Sequence, residues 1–103
     1  MLLNEFDFET VIKHGKKPIL VDFYAVWCTP CKMQDDIIKD LYNTLNDKVD
    51  FYKVNIDESE GLCQKLNIES IPYLAVYYEG ELKEKSVGLT SYANLSAMII
   101  RYI

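Results

Sequence analysis

Ile19-Leu20-Val21-Asp22-Phe23-Tyr24-Ala25-Val26-Trp27-Cys28-Thr29-Pro30-Cys31-Lys32 joins an apolar run to two cysteines three positions apart. The run Ile19–Ala25 is apolar on both alternating faces except at Asp22, the pattern of a central parallel strand covered on both sides. Beyond Cys31, Ile37, Ile38, Leu41 and Leu45 recur at helical spacing, with Asp35, Lys39, Asp40 and Asn43 between them. Pro30 suits the first turn of that helix, where its missing N–H forfeits no bond. Cys28 and Cys31 therefore stand where a strand ends and a helix begins. Positions i and i+3 share a helix face, so the two sulfurs can reach bonding distance. The first turn also offers unpaired N–H groups and the positive end of the helix dipole, both of which favour a thiolate. Such a setting lowers a cysteine pKa from about 8.5 to about 3.5–7.5. One reactive sulfur with a neighbour able to finish the reaction points to reversible thiol–disulfide exchange.

A metal-binding module is the competing reading of the pair. A structural zinc needs four ligands, and only Cys63 and His14, both distant in sequence, are left to join the first two. An iron–sulfur cluster meets the same shortage. The expectation is redox chemistry with no metal and no bound cofactor beyond the Cys28–Cys31 disulfide itself. His14 reads as a surface residue near a helix C-terminus, where a cation suits the dipole. Cys63, next to Leu62 and one turn from Leu66, reads as a buried, inert thiol.

Outward from this centre, Glu5–His14 reads as a short helix with Phe6, Phe8, Val11 and Ile12 available for burial and Gly15 just past its end. Val49–Ile56 is a second strand. Asp57-Glu58-Ser59 supplies caps and acids for a short helix carrying Leu62, Cys63 and Leu66. Ile71-Pro72 opens a third strand, Tyr73–Tyr78, and Glu79-Gly80-Glu81 turns it into an antiparallel partner, Leu82–Val87, ended by Gly88. Thr90 or Ser91 caps a last helix with the stripe Leu95, Met98, Ile99 and Tyr102. The order α, β, α, β, α, β, β, α predicts an α/β fold with a mixed sheet of four to five strands and helices on both faces. Whether Met1–Asn4 adds the fifth strand is left open by its shortness.

The 103 residues predict one domain, 1–103. Half the residues are hydrophobic and 26% are charged, which excludes disorder. A net charge of −5 repels phosphate backbones, so no nucleic-acid partner is expected. No stretch approaches the roughly 20 apolar residues that cross a bilayer, so no membrane association is expected either. The acidic start Asn4, Glu5, Asp7, Glu9 lacks the basic flank of a secretory signal, and the expected location is cytoplasmic. Three cysteines are too few for a disulfide framework.

The segment Ile19–Lys32 resembles the active-site segment of the thioredoxin family. Lys53-Val54-Asn55-Ile56-Asp57, Ile71-Pro72, Gly80 and Gly88 follow in the matching order, so the resemblance covers nearly the whole chain. It implies the thioredoxin fold and a protein-disulfide reductase acting as a monomer. The implied partners are disulfide-containing client proteins and an upstream reductase such as a thioredoxin reductase. It implies that Cys28 is the exposed attacking cysteine and Cys31 the resolving one. Asp22 matches a buried aspartate that moves protons to and from the resolving thiol; burial inside a strand would itself raise its pKa. Lys53 matches a lysine near that aspartate, Trp27 a tryptophan packed beside the disulfide, and Pro72 a cis-proline facing the cysteines. Judged by residue type alone, Trp27 would be core. The backbone of Ile71 would pair with substrate, and Thr29, Pro30 and Tyr73 would line the same surface.

Departures from the family pattern stand at Thr29 for glycine, Tyr24 for tryptophan, Asp36 for a helix-kinking proline, and Tyr73 for a smaller residue. The acidic pair Asp35-Asp36 is expected to act on partner choice by charge. Within redox chemistry, an oxidant or isomerase is the alternative, disfavoured by the missing signal and by Pro30.

Overall fold

A computed structural model describes all 103 residues. Its elements are α1 (Phe8–His14), β1 (Ile19–Tyr24), α2 (Thr29–Leu45), β2 (Asp50–Asn55), a 3-10 turn (Ile56–Glu58), α3 (Glu60–Lys65), β3 (Tyr73–Tyr78), β4 (Glu81–Val87) and α4 (Tyr92–Ile100). The sheet order is β2-β1-β3-β4. β1 runs parallel to β2 and antiparallel to β3, and β3 and β4 form a hairpin. The mixed sheet expected from the sequence is therefore present, with four strands. Met1–Leu3 extends its β2 edge through one bridge, Leu2 to Lys53, with the Leu3 N–H donating to the Lys53 carbonyl at 2.8 Å.

Strand alternation sorts the core into two layers. Ile19, Val21 and Phe23 of β1 join Phe8, Ile12, Leu62 and Cys63 beneath α1 and α3. Leu20 joins Ile38, Leu41, Leu95, Met98 and Ile99 beneath α2 and α4. Asp22 lies in register between Leu20 and Tyr24, so it turns toward the α2 side although every neighbour on its strand from Ile19 to Phe23 is buried. The hairpin turns through Glu79 at φ 53° and Gly80 at φ 80°, the pair of left-handed residues that matches the twist of the flanking strands.

The first helix starts three residues later than the sequence predicts. The Asn4 side chain accepts from the N–H groups of Phe6 and Asp7, both at 2.9 Å, and that local turn competes with helix. Phe6 is consequently exposed, not buried. Of the two candidate caps for α4, Ser91 does the capping, accepting from the Asn94 N–H at 3.1 Å.

Candidate active site

Cys28 is the N-cap of α2, in extended backbone, and Cys31 lies in the first turn. Their Cα atoms are 5.2 Å apart and their sulfurs are joined in a disulfide. The Cys31 N–H donates to Cys28 Sγ at 3.2 Å, and no acidic residue occupies the first turn of α2. One amide of the helix start is thus aimed at the Cys28 sulfur, with no carboxylate in the first turn to oppose a negative charge.

The resemblance implied an exposed Cys28. In the disulfide form Cys28 is only 5% exposed and Cys31 4%. The bonded sulfurs pack with Ala25 against Tyr24, Ile56 and Ile71, and that apolar collar removes both from solvent. Ile71 is half-buried in the collar, and the Ile71–Pro72 peptide is cis, with Pro72 buried and its carbonyl accepting from the Gly88 N–H at 2.8 Å. Thr29 and Pro30 are exposed on the outer side of the pair.

Trp27 does not follow its residue type into the core. It is 64% exposed, and its indole Nε1–H donates to Asp57 Oδ2 at 2.9 Å. Asp57 is itself fixed by its N–H, which donates to the Asn55 side chain at 2.9 Å. Tyr73 likewise departs from expectation: it is buried and stands edge-on to Phe23, ring centroids 5.6 Å apart. Tyr73, Ala75 and Tyr77 alternate onto the α1–α3 face, which takes the Tyr73 ring inward, away from a substrate surface.

Asp22 is 2% exposed, and neither carboxylate oxygen has a hydrogen-bond partner among the protein's own groups. Burial pushes its pKa up to about 7, against the pull of Lys53, while the Asp35 charge adds to the rise. Lys53 stands opposite Asp22 in the β1–β2 register, yet its Nζ donates to Asp35 Oδ1 at 2.9 Å and lies 4.4 Å from the centre of the Tyr24 ring. Asp35 also pairs with Lys39 at 3.2 Å. Burial raises the Asp35 carboxyl, but the bonds from Lys53 and Lys39 outweigh it and hold it below its usual range. The expected partner-selecting pair Asp35-Asp36 is therefore divided: Asp36 is exposed, and Asp35 is turned inward to two lysines.

Two cavities meet at this ion pair. One, of about 230 Å³, is lined by Tyr24, Ala25, Cys31, Asp35 and Lys53 among others. The second, of about 410 Å³, reaches Asp22 and is lined by Asp35, Lys39 and Lys53 as well. Asp35 and Lys53 thus line both the cavity that reaches Asp22 and the one that reaches Cys31.

Gln34 is not singled out by the sequence, and Asp57 and Thr90 are read there only as helix caps or family matches. Gln34 is fully buried and bonds the backbone of Thr90. Its signal was its place, one turn after Cys31 and four before Ile38, on the buried stripe of α2. The bonds from Trp27 to Asp57 and between Gln34 and Thr90 span long sequence separations, and no local pattern marks them. Cys63 is buried, with its thiol pushed up by burial and by the Glu5 charge, which makes it a poor nucleophile. His14 is exposed, and no group of three or more His, Cys, Asp or Glu side chains is placed to hold a metal.

A thioredoxin family model matches residues 1–101. The chain is 35% identical over 101 residues to a thioredoxin of Staphylococcus epidermidis, covering 98% of this chain and 95% of that protein. It is 42% identical over 87 residues to a thioredoxin of Rickettsia bellii, covering 84% and 83%. With a chloroplastic M-type thioredoxin of Brassica napus it shares 31% over 102 residues, 99% of this chain but 58% of the relative. The chain spans a little over half the length of such chloroplastic relatives. A chain solved in work on thiol resolution in a yeast mitochondrial 1-Cys peroxiredoxin, via glutathione/thioredoxin systems, superposes with a TM-score of 0.88 at 28% identity, covering 98% of this chain and 93% of that one.

Proposed function

The chain belongs to the thioredoxin family, and on that premise we propose that it is a protein-disulfide reductase working through Cys28 and Cys31. The observation that carries the reading is the disulfide at the start of α2, with the Cys31 N–H directed at Cys28 Sγ. In the reduced protein that donor would meet a Cys28 thiolate, and a charge-assisted bond favours the anion.

The Cys28 thiolate attacks a client disulfide, forming a mixed disulfide and releasing one client thiolate. Cys31 gives its proton to the Asp22 carboxylate. The Cys31 thiolate then attacks Cys28 Sγ; the Cys28–Cys31 bond forms, and the second client sulfur leaves with the electron pair. The client gains two electrons and the cysteine pair loses two. An upstream dithiol reductase restores the pair. Asp22 suits the middle step because burial holds its pKa at about 7, within reach of neutral pH. Ile71, packed against the pair, and the exposed Trp27, Thr29 and Pro30 beside it in the chain would form the docking surface, with an extended client segment pairing at the Ile71 backbone. A reducing compartment such as the cytoplasm belongs to the same proposal.

Equilibration of the pair with glutathione tests the direction of electron flow. A potential near about −270 mV, the value of reducing thioredoxins, supports a reductase, and one near about −120 mV would make the chain an oxidant instead.

A further inference from the structure

β1 and β2 set Asp22 and Lys53 opposite one another in a parallel ladder, on the face covered by α2. Neighbouring strands lie about 4.8 Å apart, so a carboxylate and an ammonium at such positions have every opportunity to pair. They do not pair here. Both Asp22 oxygens are without partners, while the Lys53 ammonium is bonded to Asp35 at 2.9 Å. Asp35 lies one turn beyond Cys31 on α2, and it forms part of the wall of both the cavity reaching Cys31 and the cavity reaching Asp22.

We propose that Asp35 is a positioning residue, which holds the Lys53 ammonium away from Asp22 and so leaves the buried carboxyl unpaired, ready to accept the Cys31 proton. The inference deepens the disulfide-reductase reading and rests on it for the identity of the proton donor. A lysine closed onto Asp22 would stabilise the carboxylate and make it a weaker base. A lysine removed altogether would raise the Asp22 pKa and leave less carboxylate to accept the proton. Asp35 fixes an intermediate state, with the positive charge near but not bonded.

The groups that face Asp22 are few. β2 contributes Lys53 and Tyr52, and α2 contributes Asp35, Lys39 and Tyr42, with Cys31 in the adjoining cavity. Met1 also lines this cavity, its ammonium donating to the Phe51 carbonyl at 3.4 Å. β3 sets Leu74 opposite Asp22, and α4 covers that face with Leu95, Met98 and Ile99. Lys39 is largely exposed and is paired to Asp35, so Lys53 is the cation best placed to move.

The test is a titration of the Asp22 carboxyl, followed by carbon NMR in the full chain, in Asp35→Asn, in Lys53→Met and in the double variant. Asp35→Asn should lower the Asp22 midpoint by about one pH unit or more, since an opposite charge within a few ångströms acts on that scale. In the Lys53→Met background the same change should move it by less than half as much, because no ammonium is left to relocate. A midpoint unmoved or raised by Asp35→Asn, or an equal drop in both backgrounds, would overturn the proposal. The second pattern would mean that Asp35 acts only through its own charge. This readout needs no disulfide exchange. Exchange by the unsubstituted chain is measured beside it; its absence would overturn the reductase reading and with it the proton-acceptor role.

Discussion

Gln34 and Thr90 are fastened to one another by two hydrogen bonds: the Thr90 N–H donates to Gln34 Oε1 at 2.8 Å, and Gln34 Nε2 donates to the Thr90 carbonyl at 3.2 Å. The side chain thereby satisfies the backbone of Thr90, a buried residue between β4 and α4 that has no ladder to join. It also ties Thr90 to α2 one turn beyond Cys31, which anchors the N-terminal part of the helix that carries the cysteine pair.

Replacing Gln34 with Leu strands the Thr90 N–H and carbonyl without partners. The expected loss is about 2–4 kcal/mol of folding stability, read by urea denaturation. Thr90→Ala keeps both backbone bonds and gives up only the hydroxyl that accepts from Asn94, so it should cost about 1 kcal/mol or less. Equal losses in the two variants would contradict the assignment of these bonds to the backbone.

Asp22 makes stability fall as pH rises. Its carboxyl is raised from 3.8 to about 7, so the folded chain binds more protons than the unfolded chain between those values. Unfolding free energy therefore declines across that window and is level above it. Asp22→Asn removes the decline. The variant should match the parent near pH 4 and exceed it at pH 8 by at most about 4 kcal/mol. The same substitution should slow disulfide turnover, because the carboxylate proposed to take the Cys31 proton is gone. A gain in stability that is equal at both pH values would argue against a raised Asp22 pKa.

Cys31→Ser should accumulate covalent adducts between Cys28 and client proteins, since nothing remains to attack the mixed disulfide. Cys28→Ser should accumulate none. Non-reducing electrophoresis after mixing with a disulfide-bonded protein distinguishes the two. The Cys31 N–H on Cys28 Sγ is the basis for this assignment of attacker and resolver, and adducts forming in the opposite variant would reverse it.

Tyr73 is a core residue by its position against Phe23. Tyr73→Ala should lower stability by about 3–5 kcal/mol, while Tyr73→Phe should change disulfide-reduction kinetics little. Altered client kinetics in a fully folded Tyr73→Phe variant would restore a substrate-facing role for its hydroxyl.

Much of this was legible along the chain. The strand, the cysteine pair and the following helix are adjacent in sequence, and their geometry follows from local periodicity. Asp22 could be read as buried because five apolar residues surround it on a strand whose two faces are both covered. Gln34 stood on the buried stripe of α2 and could have been found there. The starts of α1 and α4 were less legible, because side chains such as Asn4 and Ser91 compete for the same backbone groups.

The amino-acid order by itself determined the alternation of β1, the placing of two sulfurs on one turn of α2, and the class of chemistry proposed for them, because each depends on residues within a few positions of one another. Folding alone decided which distant groups meet. It set Ile71 against the disulfide, sent Trp27 outward to Asp57, turned Tyr73 inward, and gave Lys53 to Asp35 in place of Asp22. Those outcomes depend on strand register and on competition between side chains brought together from far apart, and no local pattern encodes that competition.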